Sequence, residues 1–138
     1  MIAVVILNWN GAEMLRRFLP SVVEHSHPLG EVIVADNGST DNSLEILQQE
    51  FPEVRTLVLD HNYGFAEGYN EAFRRLEIIA PQRYEYYLLL NSDVRVTADW
   101  LRPLHTYMEQ HPEVAAAQPK LRAEWAHDTL EYAGAAGG

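Results

Sequence analysis

Short apolar runs alternate with longer segments of helical periodicity along this chain, and that alternation constrains its fold more than any other feature. The apolar runs predict five strands, at residues 2–7, 31–35, 54–59, 84–90 and 114–118. Between them, apolar residues recur at helical spacing and predict helices at residues 12–25, 42–51, 66–79 and 97–111. Strands that alternate with helices form βαβ units, so the sequence predicts an α/β fold with a mainly parallel sheet covered on both faces.

Local signals predict where the helices begin, bend and end. Pro20 lies inside the first helical segment and is expected to bend or break it, because proline removes a backbone donor. Asn42 and Glu45 have the spacing of a capping pair, and Thr97 is the predicted N-cap of the last helix. Beyond Lys120 the periodicity fades, so no element is predicted there.

Length and composition bound the class of protein. A chain of 138 residues is long enough for one domain with a real core, and we expect residues 1–138 to be a single, partial domain. The net charge of −10 argues against binding nucleic acid and against docking on anionic lipid through a polybasic patch. Cysteine is absent, which excludes thiolate catalysis and sulfur-ligated zinc. No apolar run approaches the ~20 residues that cross a bilayer, so we expect a cytoplasmic protein without a transmembrane segment in this piece.

Polar side chains follow each of the first four predicted strands. Because the carboxyl ends of parallel strands meet at one edge of a sheet, where such sheets bind their ligands, we expect these side chains to form one site. We call them the carboxyl rim: Asn8, Trp9, Asn10, Asp36, Asn37, Ser39, Asp60, His61, Asn62, Asn91 and Asp93.

Several common ligand motifs are absent or incomplete. A dinucleotide fingerprint requires G-x-G-x-x-G after the first strand, whereas residues 10–12 are only Asn-Gly-Ala. No phosphate loop of the Walker type exists, and Lys120 is the only lysine in the sequence, so a P-loop ATPase is excluded. Residues 36–41 suggest a calcium loop, but Gly38 and Thr40 stand at ligand positions and no bidentate Glu closes it.

Four motifs, in this order and spacing, resemble the family 2 glycosyltransferases. They are VVILNWNG at residues 4–11, VADNGSTDNS at 34–43, NYGFAEGYN at 62–70 and LLLNSDV at 88–94. The likeness covers nearly the whole chain and is closest to the rhamnosyltransferase-like branch that builds bacterial surface polysaccharides. It implies a three-layer, Rossmann-like GT-A fold that binds nucleotide sugars, truncated at its C-terminus in this chain.

The resemblance also implies a reaction. It is inverting transfer of a sugar from a nucleotide-diphosphate donor, a UDP- or dTDP-sugar, to a saccharide or lipid-linked saccharide acceptor, with Mg²⁺ or Mn²⁺ as cofactor. This chain is expected to be the donor-binding part of an enzyme that is peripheral at the inner face of the membrane. The catalytic base is expected beyond Gly138, with Asp128 the least implausible substitute, so this piece is expected to be inactive alone.

Residue chemistry suggests roles at the carboxyl rim. Trp9 offers a flat face on which a nucleobase can stack, and Asp36 can accept the imino N–H of uracil or thymine. Asp93 is the metal candidate, because Mg²⁺ usually binds through one carboxylate together with substrate phosphates. The structural alternatives are core packing for Trp9 and a turn-capping role for Asp36. The remaining nucleotide-binding candidates, which follow from the resemblance and their place in the chain, are Asn8, Asn62, Gly64, Gly68 and Asn91.

The chain departs from the family pattern at two positions, and two other functions are considered beside the transferase. Asn91 replaces the first aspartate of the usual Asp-x-Asp, so contact with the donor ribose is its expected role, and Glu67 stands where the family often has glycine. A nucleotidyltransferase would want a basic, Gly-rich loop after the first strand, which residues 8–11 do not supply. A non-catalytic module that binds nucleotide sugars is the main alternative.

Overall fold

The computed structural model describes residues 1–117, 121–123 and 126–132, and the chain divides into two compact units, Met1–Asp99 and Trp100–Gly138. The first unit holds a parallel sheet of four strands in the spatial order β3-β2-β1-β4. These strands are β1 (Ile2–Asn8), β2 (Gly30–Asp36), β3 (Arg55–Val58) and β4 (Tyr86–Leu90). The first four predicted strands are therefore confirmed. That residues 1–138 form one partial domain stays a prediction.

The register of the sheet places the last residues of the two central strands side by side. β1 pairs with β2 so that Asn8 lies opposite Asp36, and it pairs with β4 so that Ile6 lies opposite Leu90. Because these strands are parallel, the loops after them emerge at the same edge. The carboxyl rim thus begins from two adjacent strand ends.

Helices cover both faces of the sheet. Helix α1 (Ala12–Ser26) follows β1, α2 (Ser43–Glu50) follows β2, and α3 (Phe65–Ile79) connects β3 to β4. Right-handed crossovers put α1 and α2 on one face and α3 on the other. The side chains that pack between the sheet and α3 are fully or nearly buried, and they include Ala3, Val5, Ile33, Ala35, Tyr69, Ala72 and Leu76. The predicted α/β fold with a covered parallel sheet is confirmed.

Two signals within the helices did not act as predicted. Helix α1 continues through Pro20, which lies exposed between the buried Leu19 and Val22, so the helix does not break there; that Pro20 bends it stays a prediction. Asn42 makes no side-chain cap at the start of α2. Asp41 takes that role instead, because its Oδ1 accepts hydrogen bonds from the backbone N–H of Ser43 at 2.9 Å and from its hydroxyl at 2.5 Å.

The second unit differs more from the sequence predictions. Helix α4 (Leu101–Gln110) begins after Trp100, so Thr97 is not its N-cap. The predicted strand at 114–118 was wrong for residues 114–117, which form no strand. They follow a turn at residues 111–114, where the N–H of Val114 donates to the carbonyl of His111 at 2.9 Å. Residue 118 lies outside the described residues. Strands β5 (Leu121–Ala123) and β6 (Ala126–Tyr132) pair antiparallel where no element was predicted. In the part of the chain that the structure describes, no helix is long and apolar enough to cross a membrane.

Candidate functional site

Asn8 and Asp36 form a buried polar pair where β1 and β2 end. The Nδ2 of Asn8 donates to Oδ1 of Asp36 at 3.0 Å, and each side chain is only 1% exposed. Ser39 completes the group, because its hydroxyl donates to Oδ1 of Asp36 at 2.7 Å and its backbone N–H donates to Oδ2 at 3.0 Å. The Asp36 carboxylate thus accepts three hydrogen bonds from within the chain. It has the turn-capping role considered from the sequence, and its contact with a base stays a prediction.

The other oxygen of this pair lacks a partner. Asn8 Oδ1 is buried and accepts no hydrogen bond from the residues that the structure describes. Its orientation is fixed, because a flipped amide would place this oxygen against the Asp36 carboxylate. Gly11 lies beside it, and a Cβ at that position would come within 2.6 Å of Oδ1. Asn8 Oδ1 is therefore a buried acceptor at the carboxyl rim that could still accept a hydrogen bond.

Trp9 projects from the rim between two anchored asparagines. Its side chain is 56% exposed, so the alternative of core packing is excluded. Asn10 adopts a positive φ of 49°, and its Oδ1 accepts hydrogen bonds from the backbone N–H groups of Thr40 at 2.7 Å and Asp41 at 3.2 Å. Its own N–H donates to the Ser39 hydroxyl at 2.9 Å. The loop after β1 is thereby tied to the loop after β2 on both sides of Trp9.

A shallow groove beside Asn10 does not suit phosphate. It has a volume of about 410 Å³ and includes Gly11, Glu13 and Asp41 in its lining, at the start of α1. The N-terminal N–H of α1 at Ala12 already donates to Oδ2 of Asp41 at 3.2 Å. Desolvation would raise the pKa of the Asp41 carboxyl, but the hydrogen bonds from Ser43 and Ala12 outweigh it and lower that pKa. An ionised carboxylate therefore occupies the position where an anion would bind.

Asn37 holds the loop after β3 in place. Its buried amide donates from Nδ2 to Oδ1 of Asn62 at 3.1 Å and to the carbonyl of Gly64 at 3.0 Å. Its Oδ1 accepts the N–H of Tyr63 at 2.9 Å. Sequence reasoning placed Asn37 on the rim without assigning it a role. Its position directly after Asp36 was the signal that could have identified it.

The two glycines predicted from the resemblance have structural reasons to be glycine. Gly64 has φ +83° and ψ −173°, a conformation that is essentially restricted to glycine, at the start of α3. Gly68 is buried against β1, where a Cβ would approach the methyl groups of Leu7 to 2.8 Å and Nδ2 of Asn37 to 3.1 Å. Both residues position α3 against the rim. Their contact with a nucleotide stays a prediction.

Asn91 and Asp93 follow β4 in an exposed turn. The carboxylate of Asp93 makes no hydrogen bond or ion pair with the residues that the structure describes, which leaves its oxygens available to a ligand. The strand end before them is fixed, because the hydroxyl of Tyr69 donates to the carbonyl of Leu90 at 3.0 Å. This arrangement fits a divalent cation in the chemistry of its donors, since Mg²⁺ and Mn²⁺ prefer carboxylate and amide oxygens.

Most of the positive charge in the unit Met1–Asp99 is already paired. Glu71 binds Arg74 and Arg75, whose hydrogen bonds lower the pKa of the Glu71 carboxyl to about 2. Asp60 also pairs with Arg75, at 3.0 Å. The pKa of the Asp60 carboxyl is lowered to about 2, mainly by the hydrogen bond from the Tyr63 hydroxyl and further by a backbone hydrogen bond and by His61. Further ion pairs join Arg16 to Glu50, and Arg55 and Arg83 to Glu31. These arginines are committed to carboxylates, which increases the need for a cation beside any bound diphosphate.

Sequence reasoning missed one exposed aromatic residue near the rim. Phe65 begins α3 and is 66% exposed. Its spacing to Tyr69, Ala72 and Leu76 along the helix is that of a core position, so periodicity alone predicts burial. Its exposure is visible only in the structure, where the first turn of α3 follows the loop held by Asn37.

Comparison with known proteins agrees with this geometry. The family model described as Glycosyl transferase family 2 matches residues 3–133, and the chain belongs to that family. The N-acetylglucosaminyl-diphospho-decaprenol L-rhamnosyltransferase of Mycobacterium tuberculosis is 27% identical over 124 residues, which cover 86% of this chain and 40% of that protein. The resemblance found in the four motifs is therefore confirmed.

Solved structures share the fold. The crystal structure of S. aureus TarS 1-349 in complex with UDP-GlcNAc superposes with a TM-score of 0.64 at 19% identity, over 91% of this chain and 41% of that one. The mannosyltransferase PcManGT from Pyrobaculum calidifontis, in complex with GDP-Man and Mn²⁺, gives a TM-score of 0.57 at 21% identity, over 71% and 29%. The GT-A fold implied by the motifs is confirmed. The chain spans about 40% of the length of the M. tuberculosis relative.

Proposed function

We propose that this chain is the donor-binding part of an inverting glycosyltransferase that uses a UDP- or dTDP-sugar. The observation that carries the proposal is the exposed indole of Trp9, held at the carboxyl ends of the strands between Asn8 and Asn10. An exposed indole costs free energy in water, and stacking of a base on such a ring contributes about 1–3 kcal/mol. Two neighbouring loops are tied together around it, so little order has to be created when a base binds.

Recognition of the base is proposed to come from the buried pair of Asn8 and Asp36. Uracil and thymine carry one imino N–H, and Asp36 was predicted to accept it. Asn8 Oδ1 offers a second acceptor, because it is the buried oxygen of this group that lacks a partner among the described residues. A ring N–H that reached either oxygen would relieve part of the cost of an unsatisfied polar group. Both residues are therefore proposed to favour pyrimidine nucleotides.

The diphosphate is proposed to lie beside Asp93. Asp93 and Asn91 would hold Mg²⁺ or Mn²⁺ together with phosphate oxygens, in keeping with the way Mg²⁺ binds through few carboxylates and substrate phosphates. When bound, the cation would neutralise the diphosphate as it leaves. Support comes from the exposed, unpaired Asp93 carboxylate and from the arginines that are already paired with Glu31, Glu50, Asp60 and Glu71. The mannosyltransferase PcManGT, whose structure has a similar fold, was solved in complex with GDP-Man and Mn²⁺.

The acceptor is proposed to be a saccharide or a lipid-linked saccharide, met at the cytoplasmic face of the membrane in the building of bacterial surface polysaccharides. Support comes from the M. tuberculosis relative, whose name includes a diphospho-decaprenol-linked sugar. We also propose that this chain binds donor without transferring the sugar. The catalytic base is then supplied from outside residues 1–138, and Asp128 on β6 is the first residue to mutate if turnover is found.

Titration calorimetry with UDP, dTDP and GDP in the presence of Mn²⁺ tests the proposal. We expect UDP and dTDP to bind and GDP to bind at least about tenfold more weakly, because a purine offers different groups to Asn8 and Asp36. Absence of binding by all three nucleotides would contradict the donor-binding function. Equal or tighter binding of GDP would contradict pyrimidine selectivity and leave the donor-binding function intact.

A further inference from the structure

Among the Phe, Trp and Tyr side chains of the unit Met1–Asp99, two are exposed, and both stand where loops leave the carboxyl ends of the strands. Trp9 is 56% exposed directly after β1, and Phe65 is 66% exposed in the first turn of α3, three residues after Asn62. The other Phe and Tyr side chains of this unit are buried or half-buried. Trp9 has a place in the proposed function. Phe65 has none so far.

Phe65 is fixed both through its backbone and through its ring. The carbonyl of Gly64, which precedes it, accepts a hydrogen bond from Nδ2 of Asn37 at 3.0 Å. The Phe65 ring meets the ring of Tyr69 edge to face, with centroids 5.1 Å apart and an interplanar angle of 74°. Tyr69 is itself buried and bonded to the carbonyl of Leu90 at 3.0 Å. Phe65 is therefore an ordered, exposed ring whose orientation does not depend on a ligand.

These contacts connect Phe65 to the strand end that precedes Asp93. Leu90 is the last residue of β4, and residues 91–93 follow it directly. In the proposed function the diphosphate lies beside Asp93, and the transferred sugar is bonded to the distal phosphate. The base is assigned to Trp9, which follows β1. Because Trp9 already serves the base in the proposed function, the sugar is the part of the donor that is left for Phe65.

We propose that Phe65 is the platform on which the apolar face of the transferred sugar packs, and that it is a specificity-determining residue for the donor; this inference rests on the proposed function. A pyranose ring presents a face of C–H groups, and packing of that face on an exposed aromatic ring removes apolar surface of both from water. Ligand sites combine such apolar surfaces with a few polar anchors, and Asn91 and Asp93, which directly follow the strand end bonded to Tyr69, would provide them here. The diphosphate fixes one end of the sugar, and Phe65 fixes its face.

Binding measurements on the whole chain in Mn²⁺ test this assignment, with UDP-GlcNAc compared to UDP and dTDP-L-rhamnose compared to dTDP. Phe65→Ala should weaken the nucleotide sugar that the wild-type chain binds by about tenfold and leave its parent nucleotide within about twofold. Phe65→Tyr should retain most of the affinity for the sugar. Ile78→Ala is the matched control, because Ile78 is 65% exposed on the same helix but lies near its other end. It should change neither affinity.

The alternatives give different results. Equal weakening of the nucleotide sugar and its parent nucleotide by Phe65→Ala would overturn the assignment and indicate that the ring acts on the nucleotide or on the start of α3. No weakening of either would also overturn it, and would direct attention to the acceptor. Binding of UDP or dTDP by the wild-type chain supports the proposed function in both cases. If the wild-type chain bound no nucleotide, both proposals would fail together.

Discussion

Asn8 donates a hydrogen bond to Asp36 across the ends of two adjacent parallel strands, at 3.0 Å and with both side chains buried. The two residues are 28 positions apart in the sequence, and the sheet register places them opposite each other. The loops that present Trp9 and Ser39 begin from this pair. The contribution of the Asn8–Asp36 bond to folding stability and its contribution to nucleotide binding can be measured separately.

A double-mutant cycle should reveal strong coupling between the two side chains. Asn8→Ala and Asp36→Ala should each lower the free energy of unfolding by about 1–3 kcal/mol, because each leaves a buried partner unsatisfied. The double variant should be less destabilised than the sum of the two, with a coupling energy above about 0.5 kcal/mol in urea unfolding. If the effects of the two substitutions were additive, the hydrogen bond between Asn8 and Asp36 would contribute no coupling energy to stability.

Asp36 should matter for nucleotide binding as well as for the turn. Asp36→Ala should weaken UDP or dTDP by at least about tenfold, since a hydrogen bond to a charged group contributes about 1.5–3 kcal/mol. Ser39→Ala is the matched control, because it removes the hydroxyl that bonds to Asp36 and Asn8 but keeps the carboxylate. Folding of both variants is checked by circular dichroism. Unchanged affinity in a folded Asp36→Ala would assign this residue a structural role alone.

Sequence periodicity predicted the first unit well because its elements are set by local burial. Residues 2–7 are apolar on both faces because β1 is covered by helices on both sides, and such runs predict a strand. The polar residues after each strand could be placed at one edge from topology alone. Their partners could not, since the bond from Asn37 to Asn62 depends on how two loops pack.

The errors have physical causes that a single sequence hides. Thr97 has the chemistry of an N-cap, yet α4 starts at Leu101, because capping propensity does not decide where a helix packs. Phe65 was not among the predicted site residues, because its spacing along the chain is that of a core position and its exposure is visible only in the structure. The hairpin of β5 and β6 lacked a periodic signal, and its register shifts along the pair show why a regular alternation was not visible.

Metal removal should weaken the binding of a diphosphate and not that of a nucleoside. EDTA should lower the affinity for UDP and leave uridine unchanged, because the arginines of the first unit that pair with carboxylates cannot also neutralise the phosphates. Asp93→Asn should reproduce the effect of EDTA on UDP. Calorimetry with and without Mn²⁺ makes the comparison, and equal UDP affinity in the two conditions would remove the metal from the account.

Acid should destabilise the fold partly through Glu71. The pKa of this carboxyl is about 2 in the folded chain, below its ordinary value of 4.5, because Arg74 and Arg75 bond to its charged form. The unfolded chain therefore takes up the proton first, and the stabilisation present above about pH 4.5 is lost as the pH falls toward 2. Glu71→Gln should make the free energy of unfolding less dependent on pH in this window, as followed by urea unfolding.

The control for this prediction is Glu67→Gln, an exposed carboxylate on the same helix. It should leave the slope between pH 5 and pH 3 close to that of the wild-type chain. If Glu71→Gln and the wild-type chain lost stability in parallel over this range, the ion pairs of Glu71 would not be the source of the acid sensitivity.

The most direct test of the account is the affinity for UDP of chains that differ only at Trp9. In the presence of Mn²⁺, Trp9→Ala should bind UDP at least about fivefold more weakly than the wild-type chain, and Trp9→Phe should keep most of the affinity, because a base stacks on either ring. The exposed position of Trp9 makes a folding defect in these variants unexpected, and unfolding curves verify that. Equal UDP affinity in the wild-type chain and in Trp9→Ala would contradict the claim that a nucleotide binds on the rim at Trp9.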